Sequence, residues 1–321
     1  MEPEPVVTTC YRHPALECQV RCTRCERYIC PDCMRAASVG HQCPMGVPPG
    51  SSEAENWGSV KEGARSVRRA RTVVGGRVTT TPVVTYALIA LNVPAYVAEV
   101  VRPEIVDRFS MVTARLIGPD GGHYVYQETY PRGFHAEGVV AGEWERVLTG
   151  GFLHLQPGEG TFGLLHIVMN MAALWQLGRV VEPMLGRVRY LVLYLLAVLG
   201  GSVCVLLLAD PGQASVGASG GVFGLGAAYY VLARRVGADL GPVNRFMAYL
   251  LLWLLISAGL TSWQGHLGGL LTGGLVAAAF AWAPRDGRRA LVQAGACAAL
   301  LVLLAVAALA RQAALTGGGA V

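Results

Sequence analysis

The sequence predicts an all-α, polytopic membrane protein, with a core of six helices and a seventh helix near the C-terminus, preceded by a small zinc-binding module. Three observations lead to this prediction. The 321-residue chain is 53% hydrophobic and only 15% charged, with a mean hydropathy of +0.43, whereas soluble domains carry about 25% charged residues. Its apolar residues are gathered into seven runs, most of them close to the ~20 residues that cross a bilayer. Seven of its nine cysteines lie between Cys10 and Cys43.

The composition divides the chain into four predicted segments. Residues 1–45 form a zinc-finger-like module, and residues 46–80 have the Pro, Gly and Ser content of a flexible linker, followed by arginines. Residues 81–285 hold the six core helices, and residues 286–321 hold the additional helix and a tail. The predicted spans, in chain order, are 82–101, 160–178, 189–209, 218–234, 244–260, 264–283 and 290–310.

The arginines predict how these spans are oriented. Arginine clusters precede the first span and separate spans two and three, four and five, and six and seven, whereas the loops 210–217 and 261–263 contain no Lys or Arg. Because Lys and Arg are enriched on the cytoplasmic side of a membrane, we expect a multi-pass protein of the cell membrane with a cytoplasmic N-terminus. The segment 102–143 also carries arginines, but long loops follow this rule poorly, and we expect it to be a structured outer loop. The clusters lack interleaved aromatic residues, so nucleic acid is not an expected partner.

Polar residues interrupt three of the spans. The second span contains His166 and Asn170, which are four residues apart and therefore lie on one helix face. The fourth opens with Ser219 in GASGGVFGLG, and the sixth opens with His266 in GHLGGLLTGG. A polar side chain inside a span is costly and indicates a functional site. Because these three spans run in the same direction, we expect the four side chains to meet at similar depth in one cavity.

Ser219 and His266 are the residue types that nucleophilic catalysis requires. A serine hydroxyl needs an adjacent base, and histidine is the usual one. The Ser219 backbone N–H, the Asn170 amide and an N–H of His166 are suited to stabilise an oxyanion. The glycines that follow the serine and the histidine at helical spacing predict a close approach of the two helices, and they are Gly220, Gly224, Gly269 and Gly273. Each motif alone is also compatible with helix packing, but their combination on three parallel spans favours a catalytic site.

The three motifs resemble those of the rhomboid family of intramembrane serine proteases, over residues 80–285. LLHIVMN is similar to the family's H-x-x-x-N, GASGGVFGL to its G-x-S-G, and HLGGLLTG to its H-x-x-G-x-x-x-G. The resemblance implies that Ser219 and His266 form a catalytic dyad, and that His166 and Asn170 help to bind the oxyanion. It also implies that catalysis needs no cofactor.

Other parts of the chain are similar to the same family. GEWERVLTGGFLH, at 142–154, is similar to its outer loop, with Trp144 and Arg146 at the usual aromatic and basic positions. Glu182 matches a position that is often acidic. The insertion QPGEG, at 156–160, lengthens the spacing before the second span. The span 290–310 is similar to the helix that some members add after the six-helix core.

The N-terminal module contains four pairs of zinc-binding residue types. They are Cys10 with His13, Cys22 with Cys25, Cys30 with Cys33, and His41 with Cys43. Eight ligands satisfy two tetrahedral sites, and a cross-braced arrangement joins the first pair to the third and the second to the fourth. The module resembles a B-box-type zinc finger, although Gly46 stands where such modules usually have a last cysteine. One or two ions, and a cluster of disulfides, therefore stay open as alternatives. We expect a structural role and the binding of a protein partner.

The motifs together predict a serine endopeptidase that cleaves transmembrane segments of other membrane proteins within the lipid bilayer. The alternative is a catalytically inactive rhomboid-like scaffold that binds membrane-protein clients. A transporter with a His/Asn relay is less favoured, because the chain lacks paired inverted repeats.

Overall fold

The computed structural model describes residues 8–23, 25–36, 41–43, 72–77, 79–158, 163–257 and 262–317. The chain forms two compact units, Met1–Val67 and Arg68–Val321. The boundary between them falls inside the predicted linker 46–80, of which residues 46–71 lie outside the described part of the chain.

The first unit is a small cysteine-rich fold. A 3-10 turn at Pro31–Cys33 precedes the short strands β1 (Arg35–Ala36) and β2 (His41–Gln42), which pair antiparallel. Cysteine side chains and Ile29 form its buried core, and none of these cysteines is in a disulfide. An apolar core of this size is too small to stabilise a fold by burial alone, so such units usually require an additional cross-link, such as a metal.

The second unit consists mainly of long helices. In chain order it contains α1 (Val83–Val101), α2 (Glu104–Phe109), β3 (Arg115–Ile117), β4 (His123–Val125), β5 (His135–Glu137), α3 (Arg146–Thr149), α4 (Gly163–Leu185), α5 (Arg187–Leu208), α6 (Ser219–Val236), α7 (Leu240–Ser257), α8 (Trp263–Trp282) and α9 (Arg289–Thr316). Each of the seven predicted spans coincides with one of these helices, which confirms the predicted fold class.

Not every one of the seven helices has the length and composition of a membrane span. Among the described residues, five are long and apolar enough to cross a bilayer, namely α1, α4, α5, α8 and α9, and α7 contains a shorter apolar stretch, Leu240–Ile256. The helix α6 is 18 residues long and has Arg234 and Arg235 in its last turn. It is followed by Gly237, whose positive φ of 70° favours glycine. Helix α6 is nevertheless the best buried of the seven, because it packs between α5 and α8.

The segment between α1 and α4 is structured, as the sequence predicts. Its three strands form a sheet in the order β4-β3-β5, and both pairings are antiparallel. Arg146 is fully buried and joins the sheet to the helices: it donates hydrogen bonds to the carbonyl oxygens of Asp107 and Ser110 and to the carboxylates of Glu137 and Glu143. Burial raises the pKa of Glu137, but the hydrogen bond with Arg115 and the charges of Arg115 and Arg146 outweigh that effect and hold this pKa below its ordinary value. Glu137 therefore keeps its negative charge at neutral pH.

Residues 72–77, near the C-terminal end of the predicted linker, form a turn that packs against the helices. Val74 is fully buried in the main apolar core of the second unit. The Gln293 side chain donates hydrogen bonds to the carbonyl oxygens of Val74 and Phe280, both at 3.0 Å, and accepts one from Arg189 at 2.8 Å. The predicted linker 46–80 therefore extends too far at its C-terminal end, since residues 72–77 are packed. Amino-acid composition does not predict the burial of a single valine in a mainly polar stretch.

Candidate active site

Ser219 and His266 are in contact. The His266 Nε2 and Ser219 Oγ atoms lie 2.8 Å apart, within hydrogen-bond distance. Ser219 is the first residue of α6, and His266 lies in the first turn of α8 with only 4% of its surface exposed. The two residues are 47 positions apart in the chain, so only the packing of α6 against α8 brings them together.

The helix that carries Ser219 also holds the histidine ring. Phe223, one turn after Ser219 on α6, stacks on the His266 imidazole with ring centroids 4.4 Å apart and an angle of 7° between the planes. This stacking fixes the plane of the imidazole while its Nε2 faces the hydroxyl. The sequence analysis missed Phe223, although its position at i+4 from the serine places it on the same face of α6.

The close approach of α6 and α8 depends on glycines, as the sequence predicts. A Cβ atom at Gly269 would overlap the carbonyl oxygen of Gly220, and one at Gly273 would overlap backbone atoms of Gly224. The obstacle in both cases is main chain of the facing helix, which cannot rotate away as a side chain can. Any larger residue at these two positions would therefore push α6 and α8 apart.

His166 lies beside the serine, on α4. The backbone N–H of Leu155 donates a hydrogen bond to His166 Nδ1 at 3.2 Å. Because Nδ1 acts as an acceptor, a neutral His166 ring carries its proton on Nε2. The opposite edge of the ring faces Gly217: a Cβ there would lie 3.0 Å from His166 Nε2 and 3.3 Å from Ser219 Oγ. Gly217 has a φ of 134°, so glycine is required at this position for both backbone and steric reasons.

Asn170 is near the same site but is not bonded to the serine. Its Nδ2 donates to the carbonyl oxygen of His166 at 2.8 Å, within helix α4. Asn170, His166, Ser219 and His266 all line one cavity of about 390 Å³. The remainder of this cavity is mainly apolar, and helix α7 supplies its Phe246, Leu250 and Trp253. The four predicted residues therefore share a single cavity between α4, α6 and α7.

Comparison with known proteins shows which domain contains this arrangement. Residues 141–283 match the Rhomboid domain, and they include α3 to α8 and all four cavity residues. The chain carries a rhomboid domain. The match agrees with the resemblance to the rhomboid family that the sequence motifs indicate, and the apolar helices together with this domain indicate a multi-pass membrane protein.

Several relatives are similar to part of the chain. "Rhomboid protease GluP" of Bacillus subtilis (strain 168) is 34% identical over 175 residues, which are 52% of this chain and 32% of that protein. YdcA of the same organism, whose name also refers to a rhomboid protease, is 29% identical over 144 residues, 43% of this chain and 68% of its own. "RHOMBOID-like protein 6, mitochondrial" of Arabidopsis thaliana is 31% identical over 140 residues, 42% of this chain and 43% of its own. The match thus spans about a third of the first relative's length.

Glu182, at the acidic position that the family resemblance singles out, anchors the first helix to the rhomboid domain. It is fully buried on α4 and accepts hydrogen bonds from the backbone N–H groups of Val84 and Thr85, at 3.0 and 2.8 Å, and from the Thr85 hydroxyl at 2.8 Å. These N–H groups belong to the first turn of α1, which lacks partners inside its own helix and favours a negative charge. Glu182 thereby fixes the start of α1 beside α4.

The first unit contains two groups of metal-binding side chains. Cys10, His13, Cys30 and Cys33 have donor atoms within 4.8 Å of one another. The His13 Nδ1 atom lies 3.9, 3.2 and 3.5 Å from the sulfurs of the three cysteines in that order, and the edges of a tetrahedral zinc site measure about 3.5–3.8 Å. Burial raises the pKa of the Cys10 thiol, but hydrogen bonds from backbone N–H groups outweigh it and lower this pKa to about 6. The geometry of this group therefore fits a zinc ion.

The second group is smaller than the sequence predicts. Cys22, Cys25 and Cys43 lie close together, with the sulfurs of Cys25 and Cys43 at 3.6 Å. The Cys43 backbone N–H donates to the Cys22 sulfur at 3.2 Å. His41, the predicted fourth ligand, is exposed on β2 and is not in this group. Its spacing from Cys43 suits a ligand pair, but strand β2 presents its side chain to the surface.

Proposed function

We propose that this protein is a serine endopeptidase that cleaves transmembrane segments of other membrane proteins. The observation that supports it best is the 2.8 Å contact between Ser219 Oγ and His266 Nε2, on adjacent helices of a rhomboid domain and beside an apolar cavity. A hydroxyl paired with an imidazole is the minimal arrangement for nucleophilic attack on a peptide carbonyl. The names of the relatives agree with this activity.

Acylation begins with a proton transfer. His266 Nε2 takes the proton of the Ser219 hydroxyl as Oγ forms a bond to the carbonyl carbon of the scissile peptide. The carbonyl oxygen becomes a negatively charged oxyanion. When the tetrahedral intermediate collapses, the C–N bond breaks and His266 gives its proton to the leaving amine. The product is an ester between Ser219 and the N-terminal part of the substrate.

The oxyanion needs donors that are already in place. His166 offers Nε2–H on the side of Ser219, since its Nδ1 is occupied by the Leu155 N–H. The backbone N–H of Ser219 lies at the start of α6 and has no intrahelical partner. The Asn170 amide lines the same cavity and has a second N–H beside the one that bonds the His166 carbonyl. We assign these three groups to the oxyanion site.

Deacylation reverses the roles. His266 removes a proton from a water molecule, and the resulting hydroxide attacks the ester carbonyl. The C–O bond to Ser219 breaks, the serine oxygen regains its proton from His266, and the new carboxylate leaves. Water must therefore reach a dyad that is surrounded by apolar helices.

The cavity also indicates the class of substrate. Its walls are mainly apolar side chains of α4 and α7, which suit a segment of hydrophobic chain. For attack, that segment must be extended locally, since helical carbonyl groups are already hydrogen-bonded. We infer that the substrate is a membrane-spanning segment of another protein that unwinds next to Ser219. A cell membrane location with the N-terminus in the cytoplasm follows from the arginine pattern and belongs to the same proposal.

A fluorophosphonate probe tests the nucleophile without any knowledge of the natural substrate. The serine oxygen displaces fluoride from phosphorus, and the adduct is located by mass spectrometry of the protein in liposomes. We expect a single adduct, on Ser219, and loss of labelling in His266→Ala. A reporter with one apolar span should be cut inside or beside that span. An inactive scaffold would bind the reporter but leave it uncut and would carry no adduct, and this result would refute the proposal.

We further propose that the first unit binds zinc as a structural ion at Cys10, His13, Cys30 and Cys33. A second ion at Cys22, Cys25 and Cys43 requires a fourth ligand, which His41 supplies if its side chain turns inward. A protein partner for this unit is part of the same proposal.

The zinc sites are tested by metal analysis of the purified full-length chain. We expect at least one zinc per chain, and loss of about one equivalent in Cys30→Ser, because a tetrahedral structural site rarely survives removal of a thiolate. Cys18→Ser is the matched control, since Cys18 is also buried but belongs to neither group. Less than half an equivalent in the unmodified chain, or equal loss in both variants, would contradict the assignment.

A further inference from the structure

Glu99 is a fully buried acidic residue on the first membrane helix, and the proposed mechanism does not use it. An acidic side chain at such a position is costly and is retained for a reason more often than not. It lies in the last turn of α1, whereas the proposed catalytic residues lie on α4, α6 and α8. Its hydrogen bonds connect it to the segment before α4.

Glu99 holds the short segment that runs from His154 to Gln156. Its carboxylate Oε2 accepts a hydrogen bond from the His154 backbone N–H at 2.8 Å. Its own carbonyl oxygen accepts one from Gln156 Nε2 at 3.1 Å. One residue thus fixes both ends of a three-residue segment that belongs to no helix or strand.

The middle of that segment contacts the proposed active site. The Leu155 backbone N–H is the group that donates to His166 Nδ1 at 3.2 Å. The His154 ring lies against the His166 ring, with centroids 5.3 Å apart, and it also contacts Tyr96 of α1 edge-on, with centroids 6.2 Å apart. The orientation of His166 and the position of its proton therefore depend on where residues 154–156 are held.

We propose that Glu99 is a positioning residue: it holds Leu155 so that His166 keeps its proton on Nε2, where it faces the oxyanion. The inference rests on the proposed function, because it gives His166 its oxyanion role. If the segment shifts, the Leu155 N–H no longer occupies Nδ1, and the His166 proton distributes over both nitrogens. The Nδ1–H form presents a lone pair, and not a donor, to the developing negative charge.

Two substitutions of Glu99 separate the loss of the acceptor from the loss of the charge. Glu99→Gln keeps an oxygen that accepts the His154 N–H, whereas Glu99→Leu has a similar volume and no acceptor. We expect Glu99→Leu to lower kcat by about 10- to 100-fold with KM within about twofold, as is usual when a group that orients a catalytic residue is removed. We expect Glu99→Gln to restore most of that rate.

Asn92→Leu is the matched control. Asn92 is a fully buried polar residue on the same helix, and its side chain donates a hydrogen bond to the Leu88 carbonyl oxygen of that helix, at 2.8 Å. Within the described part of the chain, its side chain forms no hydrogen bond with residues 154–156. We expect this variant to keep kcat within about twofold. If Asn92→Leu lowers kcat as much as Glu99→Leu does, Glu99 has only a structural role.

A second measurement does not depend on proteolysis. In a Ser219→Ala background, ¹⁵N NMR of histidine-labelled protein reports which imidazole nitrogen of His166 is protonated. We expect the Nε2–H form with Glu99 and with Glu99→Gln, and a mixture of forms with Glu99→Leu. A pure Nε2–H form in Glu99→Leu would overturn the positioning role. Should the unmodified protein cleave nothing while these NMR results hold, the proposed function and the oxyanion role of His166 would fail, and the effect of Glu99 on the His166 tautomer would stand.

Discussion

Replacing Ser219 by alanine is expected to lower the rate of reporter cleavage by at least about 10⁴-fold, the scale seen when the nucleophile of a serine hydrolase is removed. The substitution deletes the hydroxyl oxygen that lies 2.8 Å from His266 Nε2 and that would attack the peptide carbonyl. The fold should persist, because alanine is a good helix former and leaves the glycine contacts of α6 unchanged. Initial rates in liposomes, with the thermal midpoint of each variant, provide the measurement.

The control for this prediction is Ser215→Ala. Ser215 lies four residues before Ser219 and lines a pocket that also contains Ser219 and His266, but it pairs with Met111 through its backbone N–H and carbonyl. We therefore expect its hydroxyl to be dispensable, with a rate within about threefold of the unmodified chain. Equal rates for Ser219→Ala and the unmodified protein would exclude the dyad, whatever the effect of Ser215→Ala.

Replacing Gly273 by alanine should have the second largest effect, through the distance between α6 and α8. The new Cβ would overlap backbone atoms of Gly224, and relief requires the helices to separate. Displacing a catalytic group by about 1 Å can cost on the order of 10²-fold in rate. We expect a loss of that size in kcat, together with a lower thermal midpoint, measured on the same liposome preparations.

Gly274→Ala is the matched control, since the two glycines are neighbours on α8. A Cβ at Gly274 meets only the Ala227 side chain, at an ordinary contact distance of 3.6 Å. Both substitutions gain the same intrinsic helix propensity, about 1 kcal/mol. A difference in kcat or in thermal midpoint between the two variants therefore reports the contact of α8 with α6. Equal behaviour of the two variants would show that close packing of α6 on α8 is not required.

Most of the fold could be predicted from local sequence patterns. Hydrophobic runs interrupted by arginines located all seven helices, because a span must be apolar along its whole length and its ends must be polar. The same reasoning placed Ser219, His266, His166 and Asn170 together, since a polar side chain is conspicuous in an apolar run. Cysteine spacing likewise located the ligand groups of the first unit.

The prediction was wrong or silent where distant residues decide the structure. The sequence places the turn 72–77 in a linker, but Val74 is buried. The side chain of Gln293, which is 219 positions later in the chain, donates a hydrogen bond to the Val74 carbonyl oxygen. His41 has the spacing of a ligand, yet strand β2 leaves it exposed. The catalytic roles of the four cavity residues stay a prediction, which the expected rates above would test.

The sequence by itself determined which segments form the long apolar helices, which polar residues they carry, and where cysteine and histidine residues cluster. These properties are local, because they depend on composition and on the 3.6-residue repeat of a helix. Only the tertiary structure decided that Phe223 stacks on His266, that Glu182 caps α1, and that Glu99 holds the segment that bonds His166. Such contacts join residues that are tens of positions apart in the chain, so the periodic pattern of apolar residues along a single helix does not predict them.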